Sequence, residues 1–303
     1  MLRKFATIIF AAEMIITELT GGFGNQLFQY AAGLSLSMHH KVPLKVNPLA
    51  FNKPDPTTGS VRFFDLQNLS DPPEVANLGE IDSFCKLSAA KKLAEKIMPF
   101  HKRSVYKEKG AGFDSDFFNA AREVYIKGNR QSEKYFKPYE EEVRQKLRLS
   151  NKVIANVEHY GNNFRRQDTV ALHIRRGDYL TQVALEWLGL LPLEYYQRAL
   201  TTLCEKVDLK QAVVFSDDIE WVKQHLLLEI ETIYASGSIS HSSMEDFYLM
   251  SCCRHQVIAN STFSWWAAYL NEYPEKRIVA PNKWYNKTDI NDKDLVPSEW
   301  IRL

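Results

Sequence analysis

The chain has 303 residues, 45% of them hydrophobic and 25% charged, with 38 Lys+Arg against 37 Asp+Glu and a net charge of +1. These proportions exclude a disordered chain, and the balanced charge excludes a surface built for nucleic acid, so any anion site has to be local. The length exceeds the usual size of one domain and predicts two domains sharing a cleft.

At the N-terminus Arg3 and Lys4 precede the apolar run 5–12, a miniature of a signal peptide. It reads better as a short leader, because a strand already begins after Met14, a plausible alternative start. Cys85, Cys204, Cys252 and Cys253 show neither CxxC nor metal spacing and fit a reducing, cytoplasmic compartment. No apolar run approaches the roughly 20 residues that span a bilayer. Residues 15–19 predict a strand that enters Gly21-Gly22-Phe23-Gly24-Asn25-Gln26, followed by a helix to His39 and a second strand over 42–46. Residues 47–75 read as irregular, with a short strand over 61–65. Residues 78–110 read as mainly helical and basic, 123–127 as a strand and 133–149 as a charged helix. From residue 169 the alternation is regular. Strands are predicted over 169–174, 212–216, 232–235, 256–259 and 277–280, with helices over 192–207, 219–228, 244–253 and 263–270. That pattern predicts a doubly wound parallel sheet, hence an α/β chain with domains over 14–162 and 163–303. Ligands of such sheets bind beyond the carboxyl ends of the strands.

The strand over 169–174 delivers Arg175, Arg176, Gly177 and Asp178 to such an end. Two guanidiniums there suit phosphate oxygens through planar bidentate donors, and they equally suit a salt-bridged corner with Asp178. Arg-Gly-Asp as an adhesion signal would need an extracellular loop, which cysteine usage and position do not support. The glycine loop at 21–26 lacks the third small residue of a dinucleotide fingerprint, since Leu27 stands there, and lacks the Gly-Lys-Ser/Thr of a phosphate loop. A tight structural turn and a ligand loop both remain open for it. At 260–263 Asn-Ser-Thr-Phe opens a helix, where hydroxyls and amides either cap the helix or hold a phosphate. Trp265 and Trp266 follow as candidate core. Asp217-Asp218 and Glu245-Asp246 open helices. The first pair suggests a divalent cation, but spacing shows no third oxygen ligand.

Taken together, Gly22-Phe23-Gly24-Asn25-Gln26, His173-x-Arg175-Arg176-Gly177-Asp178-Tyr179, Phe215-Ser216-Asp217-Asp218 and Ser261-Thr262-Phe263-Ser264-Trp265-Trp266 resemble, in the same order, the bacterial α-1,2-fucosyltransferases of glycosyltransferase family 11. The resemblance implies a GT-B-like fold of two Rossmann-like domains facing a cleft, with acceptor on the N-terminal side and nucleotide sugar on the C-terminal side. It implies GDP-fucose as donor, no metal, and inverting transfer to a terminal galactose of an oligosaccharide or lipid-linked surface polysaccharide. The location implied is cytoplasmic, peripheral to the inner membrane where the acceptor is lipid-linked. Carried over by motif, Arg175 would hold the β-phosphate, with Arg176 and Asp178 ordering the loop. His173 and Asp246 would meet guanine. Ser261, Thr262 and Phe263 would contact the phosphates, and Asn25 would face the sugar-phosphate. For the catalytic base Asp178 comes first and Glu18 second. Relatives in the wider group place acids shortly after the Arg-Arg motif, whereas this chain has Leu180-Thr181-Gln182-Val183. The acceptor pocket is expected from the N-terminal half and the loop 180–191. Two alternatives stand beside this reading: a carbohydrate-binding protein whose tryptophans stack on sugars, and a transferase of the same fold using another GDP-sugar. The sequons at Asn68, Asn260 and Asn286 are read as unused in a reducing cytosol.

Overall fold

A computed structural model describes residues 13–53, 61–287 and 289–303, so the leader read at 3–12 lies outside them. The first sheet contains β1 (Ile15–Glu18), β2 (Leu44–Asn47), β3 (Val105–Lys107) and β4 (Val124–Lys127) in the order β2-β1-β4-β3. The second contains β5 (Thr169–Ile174), β6 (Gln211–Ser216), β7 (Glu231–Tyr234), β8 (His255–Val257), β9 (Ile278–Ala280) and β10 (Ile301–Arg302) in the order β10-β9-β8-β5-β6-β7. All pairings within both sheets are parallel. β5 and β6 are buried along their whole length, because their near-continuous apolar runs are covered on both faces. Side chains alternate across the sheet. Thus Val170, Leu172 and Ile174 pack under the helix Leu193–Cys204, while Ala171, Val213 and Phe215 join a core that runs through both halves of the molecule.

That shared core is aromatic where the halves meet. The helix Phe23–His40 sets Phe28 against Trp265 and Trp266, with ring centroids 4.5 and 5.0 Å apart, and Phe136 stacks on Trp266 at 5.1 Å. Both tryptophans are fully buried, so neither can stack on a sugar. The result is the GT-B-like arrangement, with two Rossmann-like parallel sheets facing a cleft. The reading 163–303 begins within the helix Glu158–Arg166, which packs on the helix Ser243–Cys252.

Several local expectations change. The segment 133–149 is not one helix, because Pro138 removes a backbone donor and only Glu140–Lys146 is α-helical after two 3-10 turns. The segment 61–65 is not a strand. Its backbone is held by the buried Gln26 side chain, which donates to the Phe63 carbonyl at 2.9 Å and accepts from the Asp65 amide at 2.9 Å. The end of 78–110, read as mainly helical, is instead the strand β3, and β10 and the helices Asn151–Ile154, Glu158–Arg166 and Gln182–Trp187 are additions.

In both sheets the chain order reverses beside a central strand. In the first the reversal lies between β1 and β4, in the second between β5 and β8. At such a reversal the flanking loops diverge and leave a crevice at the strand ends. The two crevices face each other. Gly24, after β1, lies so close to the second half that a Cβ there would overlap the backbone joining Thr262 and Phe263. Gly24→Ala is therefore expected to lower unfolding stability by about 1–3 kcal/mol. Urea denaturation with an unchanged midpoint would show that the two loops do not pack this way.

Candidate functional site

Between the two crevices lies a cleft of about 880 Å³. β5 carries His173 and ends in Arg175, whose position is fixed by two acids. Its Nη2 lies 2.6 Å from Asp178 Oδ1 and its Nη1 lies 3.0 Å from Asp217 Oδ2. Gly177 packs closely here, since a Cβ would stand 2.5 Å from Asp217 Oδ2 and push that carboxylate from its place on Arg175. Asp178 is also bound by Arg62 Nη2 at 2.5 Å, from the irregular segment that Gln26 holds. Arg62 thus reaches the β5 corner from the other half of the chain. Burial pushes the Asp178 carboxyl up, but Arg175 and Arg62 together outweigh it and hold it below the usual carboxylate range.

Opposite Arg175, the helix Thr262–Leu270 begins after β8. Ser261 is its N-cap residue with no side-chain cap, and this helix start, with the positive end of its dipole, forms part of the cleft wall. Asn25 stands beside them. Its Oδ1 accepts from Thr262 Oγ1 at 2.9 Å and from Gln131 Nε2 at 3.0 Å, which leaves its Nδ2 as a donor. Ser261, Thr262 and Phe263 all line the cleft.

Deeper in the same cleft are His173 and Asp246. Burial, with the charge of Arg175 adding, pushes the His173 imidazole down to about 3, so it is neutral at ordinary pH. Its Nδ1 is buried with no partner among the described residues, and its ring lies 5.7 Å from that of Phe263. A buried orphan nitrogen is a place where a ligand atom can complete the bonding. Burial pushes the Asp246 carboxyl up to about 6, opposed by hydroxyl donation from Ser240 and from Ser236, the latter at 2.8 Å.

Some expected residues stand elsewhere. Arg176 does not line the cleft: its guanidinium lies 3.3 Å over the Trp221 ring and its Nε donates to Asp218 at 3.1 Å. It orders the corner from outside and offers nothing directly to a donor. Glu18 also lies off the cleft, where Lys127 and Tyr125 donate to it at 2.8 and 3.2 Å. Asp217 and Asp218 face the guanidiniums of Arg175 and Arg176, and among the described residues no cluster of three His, Cys, Asp or Glu is placed to hold a metal. Asn260 is buried and donates to the Leu188 and Trp284 carbonyls at 2.8 and 3.2 Å, which ties the end of β8 to the segment after β5.

Other cleft residues had no signal in the sequence. Arg62 and Asp65 sit in a stretch without periodicity, and residues distant in the chain, Gln26 and Asp178, bring them in. Asp65 lines the cleft, with its carboxyl raised by burial against the opposing charge of Arg62. Part of the expected loop 180–191 is the helix Gln182–Trp187, capped by Thr181, which presents Val183, Ala184 and a half-exposed Trp187 at the cleft.

A family model, Glycosyl transferase family 11, matches residues 91–303. The chain belongs to glycosyltransferase family 11. Among the relatives of this family 11 transferase is an alpha-1,2-colitosyltransferase of Escherichia coli, 30% identical over 96% of this chain and 99% of that protein. A galactoside 2-alpha-L-fucosyltransferase of Bos taurus is 33% identical over 36% of this chain and 30% of its own length. The fold is shared with a mutant of Arabidopsis thaliana FUT1 solved in complex with GDP, at a TM-score of 0.51 and 15% identity, covering 88% of this chain and 70% of that one. Among the described residues of the transferase no helix is long and apolar enough to cross a membrane.

The position of Arg176 gives a direct test. Arg176→Ala is expected to lower stability by about 1–2 kcal/mol, mainly through the lost stack on Trp221, while nucleotide affinity stays close to that of the parent. Calorimetry showing GDP affinity lost with stability intact would place the Arg176 side chain in the cleft instead.

Proposed function

We propose that the protein transfers L-fucose from GDP-β-L-fucose to the 2-hydroxyl of a terminal galactose, inverting the anomeric carbon to form an α-1,2 linkage. The observation that carries this reading is the pairing of Arg175 with the uncapped start of the helix Thr262–Leu270 across one cleft of a family 11 transferase. A diphosphate suits that gap, since both sides offer fixed donors and positive potential. As the bond to fucose breaks, negative charge grows on the β-phosphate, and donors already in place stabilise it more in the transition state than in the ground state. This chemistry needs no divalent cation. Arg62 adds a second guanidinium to the same corner, and Asn25 Nδ2 is the donor left for a sugar or phosphate oxygen.

At the base end, ionised Asp246 accepts from the two neighbouring nitrogens of guanine that carry protons, and His173 Nδ1 completes the polar surface there. The raised carboxyl gives the sign of a pH effect. Below about 6 Asp246 is protonated and loses its charge, so donor affinity falls as pH drops through that value. GDP titrations at falling pH should weaken more steeply in the parent than in Asp246→Asn, where only the terminal phosphate of GDP, with a pKa of about 6, still titrates. Equal slopes in both would remove Asp246 from base recognition.

Asp178, held low between two arginines, makes a weak base, and its part is to hold Arg175 and Arg62. Asp65 is better suited to take the proton of the acceptor hydroxyl. It lines the cleft on the N-terminal side, and burial raises its basicity. Asp65→Asn is expected to lower kcat by about 10²–10⁴-fold and to abolish the acid limb of the kcat profile at saturating donor. An unchanged profile would reassign the proton to solvent or to the departing phosphate.

A second reading has the same chemistry with colitose as the sugar moved. It is favoured by the relative that matches over nearly the whole chain. Product analysis with GDP-fucose and GDP-colitose against a panel of β-galactosides, with and without chelator, separates the two. Arg175→Ala should reduce kcat by about 10²–10³-fold with either donor. If neither donor gave a product and calorimetry detected no GDP binding, the proposal would fail.

A further inference from the structure

The helix Ala89–Ile97 is attached to the protein by the wrong side. Globular helices bury an apolar stripe and leave the polar face to water. Here the helix has no buried residue, and Leu93 and Ile97 are 68% and 89% exposed, with Met98 after them at 39%. At about 100° per residue, Ala89, Ala90, Leu93, Ala94 and Ile97 share a sector about 140° wide, and Glu95 points about 170° from its centre. Glu95 is the side that faces the protein, for its Oε1 accepts the Ser104 amide at 2.8 Å. The polar contact therefore holds the helix down, and the apolar sector is turned outward. Ser88 caps the helix by accepting from the Lys91 amide.

Charge is distributed to match. Lys91 borders one edge of the apolar sector, and Lys96 and Lys92 border the other, at the spacing set by about 3.6 residues per turn. The segment 86–109 holds eight Lys and Arg against Glu95 and Glu108, a net +6 in a chain whose total is +1. Glu108 is turned inward, accepting from the amides of Asn129 and Arg130 at 2.7 and 2.9 Å. The rest of the chain is consequently net acidic, and positive potential is concentrated around this one helix. A second copy of the chain would bring the same lysines against these and be repelled. A surface that is apolar beneath and negative above satisfies both halves of the pattern, because lysine stems lie along the apolar layer while their ammonium groups reach the charged plane.

We propose that the helix Ala89–Ile97 docks the protein on an anionic phospholipid bilayer, with Leu93, Ile97 and Met98 entering the acyl boundary and Lys91, Lys92 and Lys96 meeting lipid phosphates. This is independent of which sugar the cleft transfers. Sedimentation of the full-length protein with vesicles of phosphatidylcholine containing about a quarter phosphatidylglycerol should carry the protein into the pellet, and pure phosphatidylcholine should not. Added salt should weaken the binding. The double variant Leu93→Glu/Ile97→Glu and the triple variant Lys91→Glu/Lys92→Glu/Lys96→Glu should each bind at least about tenfold more weakly. Because these side chains touch no core, circular dichroism and GDP affinity should match the parent in both. The proposal is overturned if the parent stays in the supernatant, or if both variants sediment as the parent does. It is equally overturned if light scattering shows a concentration-dependent dimer that Ile97→Glu abolishes, which would assign the face to a second copy.

Discussion

Everything in the cleft depends on where the two sheets are pinned together, and the pin is Asn25. Its carboxamide oxygen receives Gln131, which follows β4 and belongs to the first sheet, and Thr262, which follows β8 and belongs to the second. Each partner marks a reversal of strand order, so one side chain joins the two crevices that parallel sheets leave for ligands. Gly24 beside it allows backbone to approach backbone, and the Phe28, Trp265 and Trp266 rings behind it fill the space between the helices that follow. A cleft between two sheets would otherwise be as wide as a flexible linker allowed. Here its width is set by hydrogen bonds and aromatic packing within one core.

The electrostatic design follows from that rigidity. Arg175 is only partly exposed and already has two acidic partners, Asp178 and Asp217. Under the proposed function a diphosphate would add to a guanidinium whose desolvation those acids already compensate and whose geometry they already hold. Arg176, next in the chain, is turned outward against Trp221 and Asp218 and so keeps the strand end from swinging. One arginine of the pair faces the ligand and its neighbour braces the wall. An adjacent pair at the end of a strand has this outcome built in, because successive side chains leave in opposite directions.

The sequence was most legible where one physical rule dominated. The strands from β5 onward announced themselves by apolar runs between helices, and the motifs resembling family 11 put Arg175 and residues 261–263 after strands, where with His173 and Asp246, an acid in the first turn of a helix, they line one cleft. It was least legible where a distant side chain supplied what a strand or helix normally supplies. Gln26 satisfies the backbone at Phe63 and Asp65, and nothing near residues 61–65 hints that a glutamine some 40 positions earlier performs that task. Arg62 and Asp65 were missed for this reason. Pro138 was visible in the sequence and should have broken the charged helix read over 133–149. The helix Gln182–Trp187 is short enough that its cap, Thr181, was the only local clue.

The same contrast explains why donor class is more readable than sugar identity. Under the proposed function, phosphate and base would be met by features embedded in the packing of the fold: a strand end, a helix start, an acid among serines. Changing them would disturb packing around β5, β6 and β8. The rest of the cleft wall is the segment around Arg62 and Phe63, held by Gln26 and by the Arg62–Asp178 pair, and the short helix ending at Trp187, tied down through Asn260; under the proposed function these would face the sugar and acceptor. Side chains there are half-exposed and touch little core, so substitutions are inexpensive in stability and large in their effect on what fits. A relative that shares almost the full length at 30% identity can therefore keep the phosphate corner while differing in the sugar it accepts.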